Sequence, residues 1–298
     1  MEKEATILNS DGLSLELAKQ APLEFLFITF LGALLSCAAG FVNGVTLTGL
    51  TGTPSSFTTS HMTGTTTVSS EQLGRDEFDE FGIRLCLVIS FSFGAFLVGA
   101  YTGSPSKSYQ IGPEYGPLLF ILSLILSVAC VDAYVDPNSY VYYYLASMGM
   151  GFQNSMTSKY SGSLIRTTHV TGTLTDIGLI MGQYTRGITE NLWKLPVLLA
   201  LVISFAIGGV LSVTTGRNKL SLIAVAIFYG ALALGLQIFI AHARHQSLIS
   251  VFLGSWVTKA APHPYKTFSP LHAREERGDH EGGLEDNRQP QNGEDIKQ

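Results

Sequence analysis

"TTSHMTGTTT" at residues 58–67 is echoed by "RTTHVTGTLT" at 166–175. Six of the ten positions are identical, and His61 and Gly64 fall on His169 and Gly172. Either stretch alone has the look of a catalytic loop, with a histidine, rows of hydroxyls and a glycine. Two further blocks keep step with the pair. "LLSCAAGFVNGVT" (34–46) matches "LASMGMGFQNSMT" (145–157) at six of thirteen positions, and "LVISFSFGAFL" (87–97) matches "LVISFAIGGVL" (201–211) at seven of eleven. The offsets are 111, 108 and 114, so the blocks recur in order with small insertions. Three ordered matches, one of them polar, point to duplication.

The surrounding composition is that of a membrane protein. Of 298 residues, 46% are hydrophobic and 14% charged, and the mean hydropathy is +0.28. Soluble domains carry about a quarter charged residues. No Asp, Glu, Lys or Arg occurs in 25–70, 85–106, 115–131, 137–158, 195–216 or 220–243. About 20 mostly apolar residues cross the hydrocarbon as a helix, so these gaps predict six transmembrane helices. The mixed charges of the first twenty residues argue against a secretory signal. Cys37, Cys86 and Cys130 fall one in each of the first three apolar runs without metal-ligand spacing, and are expected as small buried packing residues.

Each half then reads as helix, polar motif segment, helix, helix. If the motif segment does not cross, each half has three spans and the second half enters from the opposite face, an inverted repeat of the kind found in secondary transporters. If it does cross, the halves have four spans each and run parallel. With six spans, nine Lys and Arg lie on the side of the termini and four (Arg75, Arg84, Arg217 and Lys219) on the other; eight spans divide them eight to five. The positive-inside rule therefore favours six spans with both termini cytoplasmic.

"AGFVNG" (39–44), "HMTGT" (61–65), "GMGFQNSMT" (149–157) and "RTTHVTGTLTD" (166–176) together resemble the YoaK-like family of integral membrane proteins, a domain of unknown function. The resemblance runs from about Leu31 to Phe239. It implies six membrane helices and no particular substrate. In that family an acidic residue is common where this chain has Asn43, and an asparagine is common at Thr65.

The fold expected is an all-α membrane protein of six transmembrane helices, arranged as two three-helix repeats of inverted topology with polar broken or re-entrant motif segments. Residues 1–21 form a cytoplasmic segment and 22–258 the transmembrane domain. Within it, 22–134 and 137–243 are the repeats and 245–258 is an interfacial helix or a frayed helix end. Residues 259–298, rich in charge, Gly and Pro, form a disordered tail. Pro54 and the glycines at 49, 52 and 64 prevent a regular helix through the first motif. Backbone groups freed there must be buried in protein or line a wet cavity.

The candidate substrate-binding residues are Asn43, His61, Thr63, Gly64, Gln153, Asn154, His169, Thr171, Gly172 and Asp176. The hydroxyls are equally suited to satisfying the broken backbone. Asn43, Gln153 and Asn154 are expected to end the first helix of each half, as caps, interhelical bonds or solute ligands. Asp176 has Arg166 as its nearest charged partner candidate. "YVDPNSYVYYY" reads as a tight turn followed by an interfacial tyrosine belt. Gly94, Gly208 and "GAFLVG" (94–99) fit close helix packing. No catalytic base with an orienting acid, phosphate loop, metal set or cofactor motif is present, so no enzymatic activity, metal or cofactor is expected. The expected function is a small-solute transporter or permease with a midplane polar site; the alternative is a non-transporting membrane scaffold or sensor. The partners are the lipid bilayer and a small solute, with no nucleic acid and with self-association compatible.

Overall fold

The computed structural model describes residues 22–48, 57–102, 112–136, 138–215, 220–243 and 245–251. The N-terminal segment 1–21, the tail 259–298, and Pro54 with the glycines at 49 and 52 lie outside them. The described chain is helical, without strands: α1 Pro22–Thr48, α2 Met62–Gly74, α3 Phe78–Thr102, α4 Tyr115–Val135, α5 Val141–Tyr160, α6 Val170–Thr185, α7 Leu195–Thr215 and α8 Ser221–Ala243. Of the expected interfacial helix, residues 248–251 are helical, 245–247 are turn and irregular chain, and 252–258 lie outside the described residues.

Five helical stretches are long and apolar enough to cross a membrane: Phe25–Thr48, Phe78–Thr102, Tyr115–Val135, Leu192–Thr214 and Ser221–His242. Their outward faces are apolar, as at Phe30, Phe96, Val131, Ile207 and Ile227. The sixth expected span, α5, is helical but does not reach that level of hydropathy. The reason is its place in the fold. Twelve of its twenty residues are buried, Gln153 and Thr157 among them. A helix clad in protein has no need to be soluble in lipid.

Glycines set the close contacts. A Cβ on Gly94 of α3 would run into the backbone carbonyl of Met148 in α5, and one on Gly208 of α7 into that of Cys37 in α1. Reciprocally, Gly151 lies against the carbonyl of Phe91 and Gly40 against that of Phe205. Serines reinforce the same pairs. Ser147 donates to the Leu87 carbonyl and Ser36 to the Leu201 carbonyl, both at 2.9 Å. Along each pair residue numbers rise together, so α1 runs parallel to α7 and α3 parallel to α5. The α4–α8 pair is antiparallel: Ser123 donates to the Ala226 carbonyl, while Gln237 donates to that of Pro113. Gly99, by contrast, has no neighbour for a Cβ within 4 Å, so only the first glycine of "GAFLVG" is a contact residue.

Three expectations need correction. Asn43 and Asn154 lie inside α1 and α5, which continue to Thr48 and Tyr160. The turn before α5 is real, with Asp136 accepting the Asn138 N–H at 3.0 Å, but Tyr142 and Tyr143 are buried rather than interfacial. Asp132 reaches over to accept the Tyr142 N–H at 2.9 Å, which stabilises the free first turn of α5. Of the cysteines, Cys130 is buried, Cys37 half-buried and Cys86 exposed.

Candidate functional site

The two motif segments are irregular chain, with bends and turns, followed by a short helix, and similar devices hold both. The Asn43 Oδ1 accepts the N–H groups of Thr59 and Ser60, each at 3.1 Å. The Asn154 Oδ1 accepts the N–H of Thr168 at 3.4 Å. An amide side chain inside an intact helix thus satisfies backbone donors that no ladder serves, at positions where water would be scarce. His61 and His169 then take the N-cap positions with matching backbone angles (φ −95, ψ 66 and φ −106, ψ 59). Their carbonyls accept the N–H of Thr65 and Thr173, and the hydroxyls of the same residues. Each imidazole folds over the glycine three residues on. A Cβ at Gly64 would stand 2.6 Å from His61, and one at Gly172 2.9 Å from His169. The His-x-Thr-Gly spacing is therefore a ring-over-glycine helix start.

Threonines elsewhere bond back one turn within the short helices, as Thr67 to the Thr63 carbonyl and Thr175 to that of Thr171. Both helices close alike. The N–H of Glu77 returns to the Gln72 carbonyl at 2.9 Å and that of Ile188 to the Gln183 carbonyl at 3.1 Å. The residue in left-handed conformation is Asp76 (φ 63) in the first and Gly187 (φ 80) in the second.

The segments meet α1 and α5 at different levels, in opposite order along the two helices. Phe57 packs edge-on against Tyr143 and Tyr140, at the start of α5, with ring centroids 5.1 and 6.0 Å away. Thr59 meets Thr46, near the end of α1, at 3.2 Å. In the second segment Ile165 sits on Gly32, in the first half of α1, and the Thr167 carbonyl accepts from Ser36, at its middle, at 3.3 Å. α1 and α5 are therefore antiparallel. Ser36 and Asn43 mark the two contact levels, seven residues or about 10 Å apart along α1.

Of the sequence candidates, His61, Thr63, His169, Thr171 and Asp176 are exposed. Gly64 and Gly172 lie beneath the histidine rings, and Asn43 and Asn154 are half-buried. Neither imidazole has a hydrogen-bond partner among the described residues, and no contact joins the two histidines. No group of three His, Cys, Asp or Glu is assembled for a metal among the described residues. The expected Asp176–Arg166 pair does not form: the ion pair observed among the described residues is Arg75–Glu71 at 2.5 Å. Arg166 precedes α6, whereas Asp176 lies seven residues into it, about 10 Å along the axis.

Gln153 is fully buried and fully used. Its Nε2 donates to the Leu35 carbonyl at 2.7 Å and to the Thr167 hydroxyl at 2.9 Å, while its Oε1 accepts from the Tyr229 hydroxyl. Tyr229 and Thr167 were missed from the sequence, since one sits in an apolar run and the other is one of many threonines. Arg84 was missed too. Its Nε donates to Gln72 Oε1 at 3.0 Å, and its guanidinium carbon stands 4.9 Å over the Phe57 ring. It is the one basic residue of α3, immediately before the apolar run, a signal that counting loop charges overlooked.

Five apolar spans around buried, glycine-mediated helix contacts define an integral membrane protein of the all-helical class. The chain belongs to the DUF1275 family, described as protein of unknown function, whose model matches residues 31–236. The YoaK-like resemblance agrees with that membership. No curated protein matches the chain. No solved structure matches it either.

Proposed function

We propose that the protein is a small-solute transporter or permease of six spans, built as two inverted three-helix repeats, with the segments at 58–67 and 166–175 entering from opposite faces. The observation that carries this reading is the matched pair of broken segments held at different levels of antiparallel α1 and α5. Each opens a short helix with a histidine at its N-cap position whose imidazole has no hydrogen-bond partner among the described residues. The helix directions support six spans. α1 runs with α7, and opposite to α3 and α5, so α2 adds no net crossing between α1 and α3. Broken segments of this kind, meeting a bundle from both sides, suit alternating access by movement of one half against the other.

The groups left for a solute are the exposed His61, Thr63, His169, Thr171 and Asp176, with the Nδ2 groups of Asn43 and Asn154 behind them; Gln153 belongs to the scaffold. Catalysis, metal and cofactor have no part in the reading. The charge bias assigns both termini to the cytoplasm and the first segment to the opposite face.

A second reading, a non-transporting scaffold or sensor, is favoured by one observation: many of the motif hydroxyls are bonded to nearby backbone. Single cysteines at Thr63 and Thr171 in a cysteine-free background separate the two. Transport predicts labelling from opposite sides, and solute-dependent protection in proteoliposomes that also show flux. Labelling from one side, with no flux of any solute tested, removes the transport reading.

A further inference from the structure

Three equivalent positions carry opposite chemistry in the two halves, and on the transport reading this names the class of solute. Offsets of 108, 111 and 114 pair Phe57 with Ile165, Tyr143 with Gly32 and Arg84 with Leu198. Around the second segment these are an aliphatic plug: Ile165 is buried against Gly32 of α1, and Leu198 is buried. Around the first segment the same places hold a buried aromatic pair, Phe57 with Tyr143 of α5, and a guanidinium over the Phe57 ring.

That guanidinium is half-buried in the first two turns of α3, just before its apolar run, and has no counter-ion among the described residues. Glu80 precedes it by one turn, the spacing at which a helical ion pair forms, yet the two are not paired. Arg84 turns instead to the neutral amide of Gln72 and to the Phe57 ring. Only Nε is engaged there, so both Nη groups, four of its five N–H donors, have no partner among the described residues. A half-buried cation held by neutral groups, with its forked face unused, is arranged to receive an oxyanion. The equivalent glutamine of the other half, Gln183, is met by Asn191 at 3.5 Å, so the charge is peculiar to this end.

We propose that Arg84, held by Phe57 and Gln72, is the recognition residue for an oxyanion, a carboxylate or phosphate group, beside the first broken segment. Binding there neutralises the half-buried charge and uses the free Nη donors. The same chemistry is offered by a free small anion and by a phospholipid headgroup.

The test uses the purified full-length chain in neutral detergent. Thermal unfolding is followed with sodium acetate, sodium phosphate or added phosphatidylglycerol, each against sodium chloride at matched ionic strength. An oxyanion is expected to raise the wild-type Tm by several degrees. Arg84→Gln should weaken the apparent affinity roughly ten- to a hundredfold, the loss of a charge-assisted fork. Arg84→Lys should retain part of the effect, and Arg75→Gln, at the exposed ion pair, all of it. Protection by phosphate or acetate identifies a free anion; protection by phosphatidylglycerol alone identifies a headgroup. Absence of any wild-type shift, a measurement that needs no variant to fold, overturns the proposal. So does an equal shift in Arg84→Gln. Flux in proteoliposomes separates this from the transport reading. Anion binding without flux leaves Arg84 in place and removes transport, whereas flux of a neutral solute indifferent to Arg84→Gln does the reverse.

Discussion

The segment before α2 rests its Phe57 on Tyr143 beneath Arg84, whereas the segment before α6 rests Ile165 on Gly32 and is bonded to Gln153. Both hang from an asparagine, both start a helix at a histidine folded over a glycine, and both close with the same backbone return. The shared features all deal with the backbone: donors to satisfy, carbonyls to approach, a helix to start and stop. The differing features are side chains that could change without moving the chain. One end has become aromatic and cationic, the other aliphatic with a neutral hydrogen-bond network. Backbone demands keep two halves alike, and chemistry tells them apart.

The glycine contacts put that equivalence at greatest risk. Gly94→Ala would force α3 off the Met148 carbonyl, and Gly208→Ala would force α7 off that of Cys37. Neither obstacle is a side chain that can swing away. Each variant should lose about 3 kcal/mol or more, read as a drop in Tm or loss of the monodisperse peak in detergent. Gly99→Ala, facing open space, should gain up to about 1 kcal/mol from helix propensity alone. A mild Gly94→Ala beside a severe Gly208→Ala would break the correspondence between the two pairs.

Next in size are the asparagines. Asn43→Ala leaves two backbone N–H groups of a buried segment without an acceptor, a loss of about 2–3 kcal/mol. Asn154→Ala removes one long bond and should lose about 1 kcal/mol. Hydrogen exchange at residues 59–60 and at 168 checks this locally, with faster opening expected at the first site. Equal protection lost at both would show that the longer bond at Asn154 is as strong as the shorter pair.

How much of this was legible in the sequence follows the same division. Glycines that meet a carbonyl can be nothing else, so Gly40, Gly94, Gly151 and Gly208 stood inside the matching blocks. The motif histidines and asparagines stood there too. The short helices were hidden, because "MTGTTTVSS" has neither apolar periodicity nor strong helix formers; its threonines join the helix only by bonding back one turn. α3 begins at Phe78, seven residues before its apolar run, because Asp79 and Glu80 suit a helix start. The charge gap saw only the lipid-facing part. Whether Asn43 binds a solute or a backbone, and whether Arg84 faces water or a ring, depends on chain more than ten residues away. No local pattern carries that.

Gln153 stands where the first half has Val42, and it gives the clearest side-chain difference between the halves. Gln153→Val restores the symmetric residue but leaves the Tyr229 and Thr167 hydroxyls short of a partner, at about 1–2 kcal/mol. Adding Tyr229→Phe should return part of that loss, so the double variant is less destabilised than the sum of the singles. Strict additivity in thermal unfolding would mean that the Gln153–Tyr229 bond contributes nothing.

The smallest effect isolates a backbone demand that the two halves meet with different residues. Asp76 and Gly187 both take left-handed conformation at the close of a short helix. An L residue strains there and glycine does not, although aspartate tolerates the region better than most. Asp76→Gly should therefore stabilise by about 0.5–1 kcal/mol, less the entropy glycine adds to the unfolded chain. Gly187→Asp should destabilise by a similar amount, and the double exchange should return close to wild-type Tm because the sites share no partner. Destabilisation by Asp76→Gly would mean that the aspartate side chain does something at this end that the backbone alone does not require. Asp76 would then join Arg84 among the features that distinguish the first half from the second.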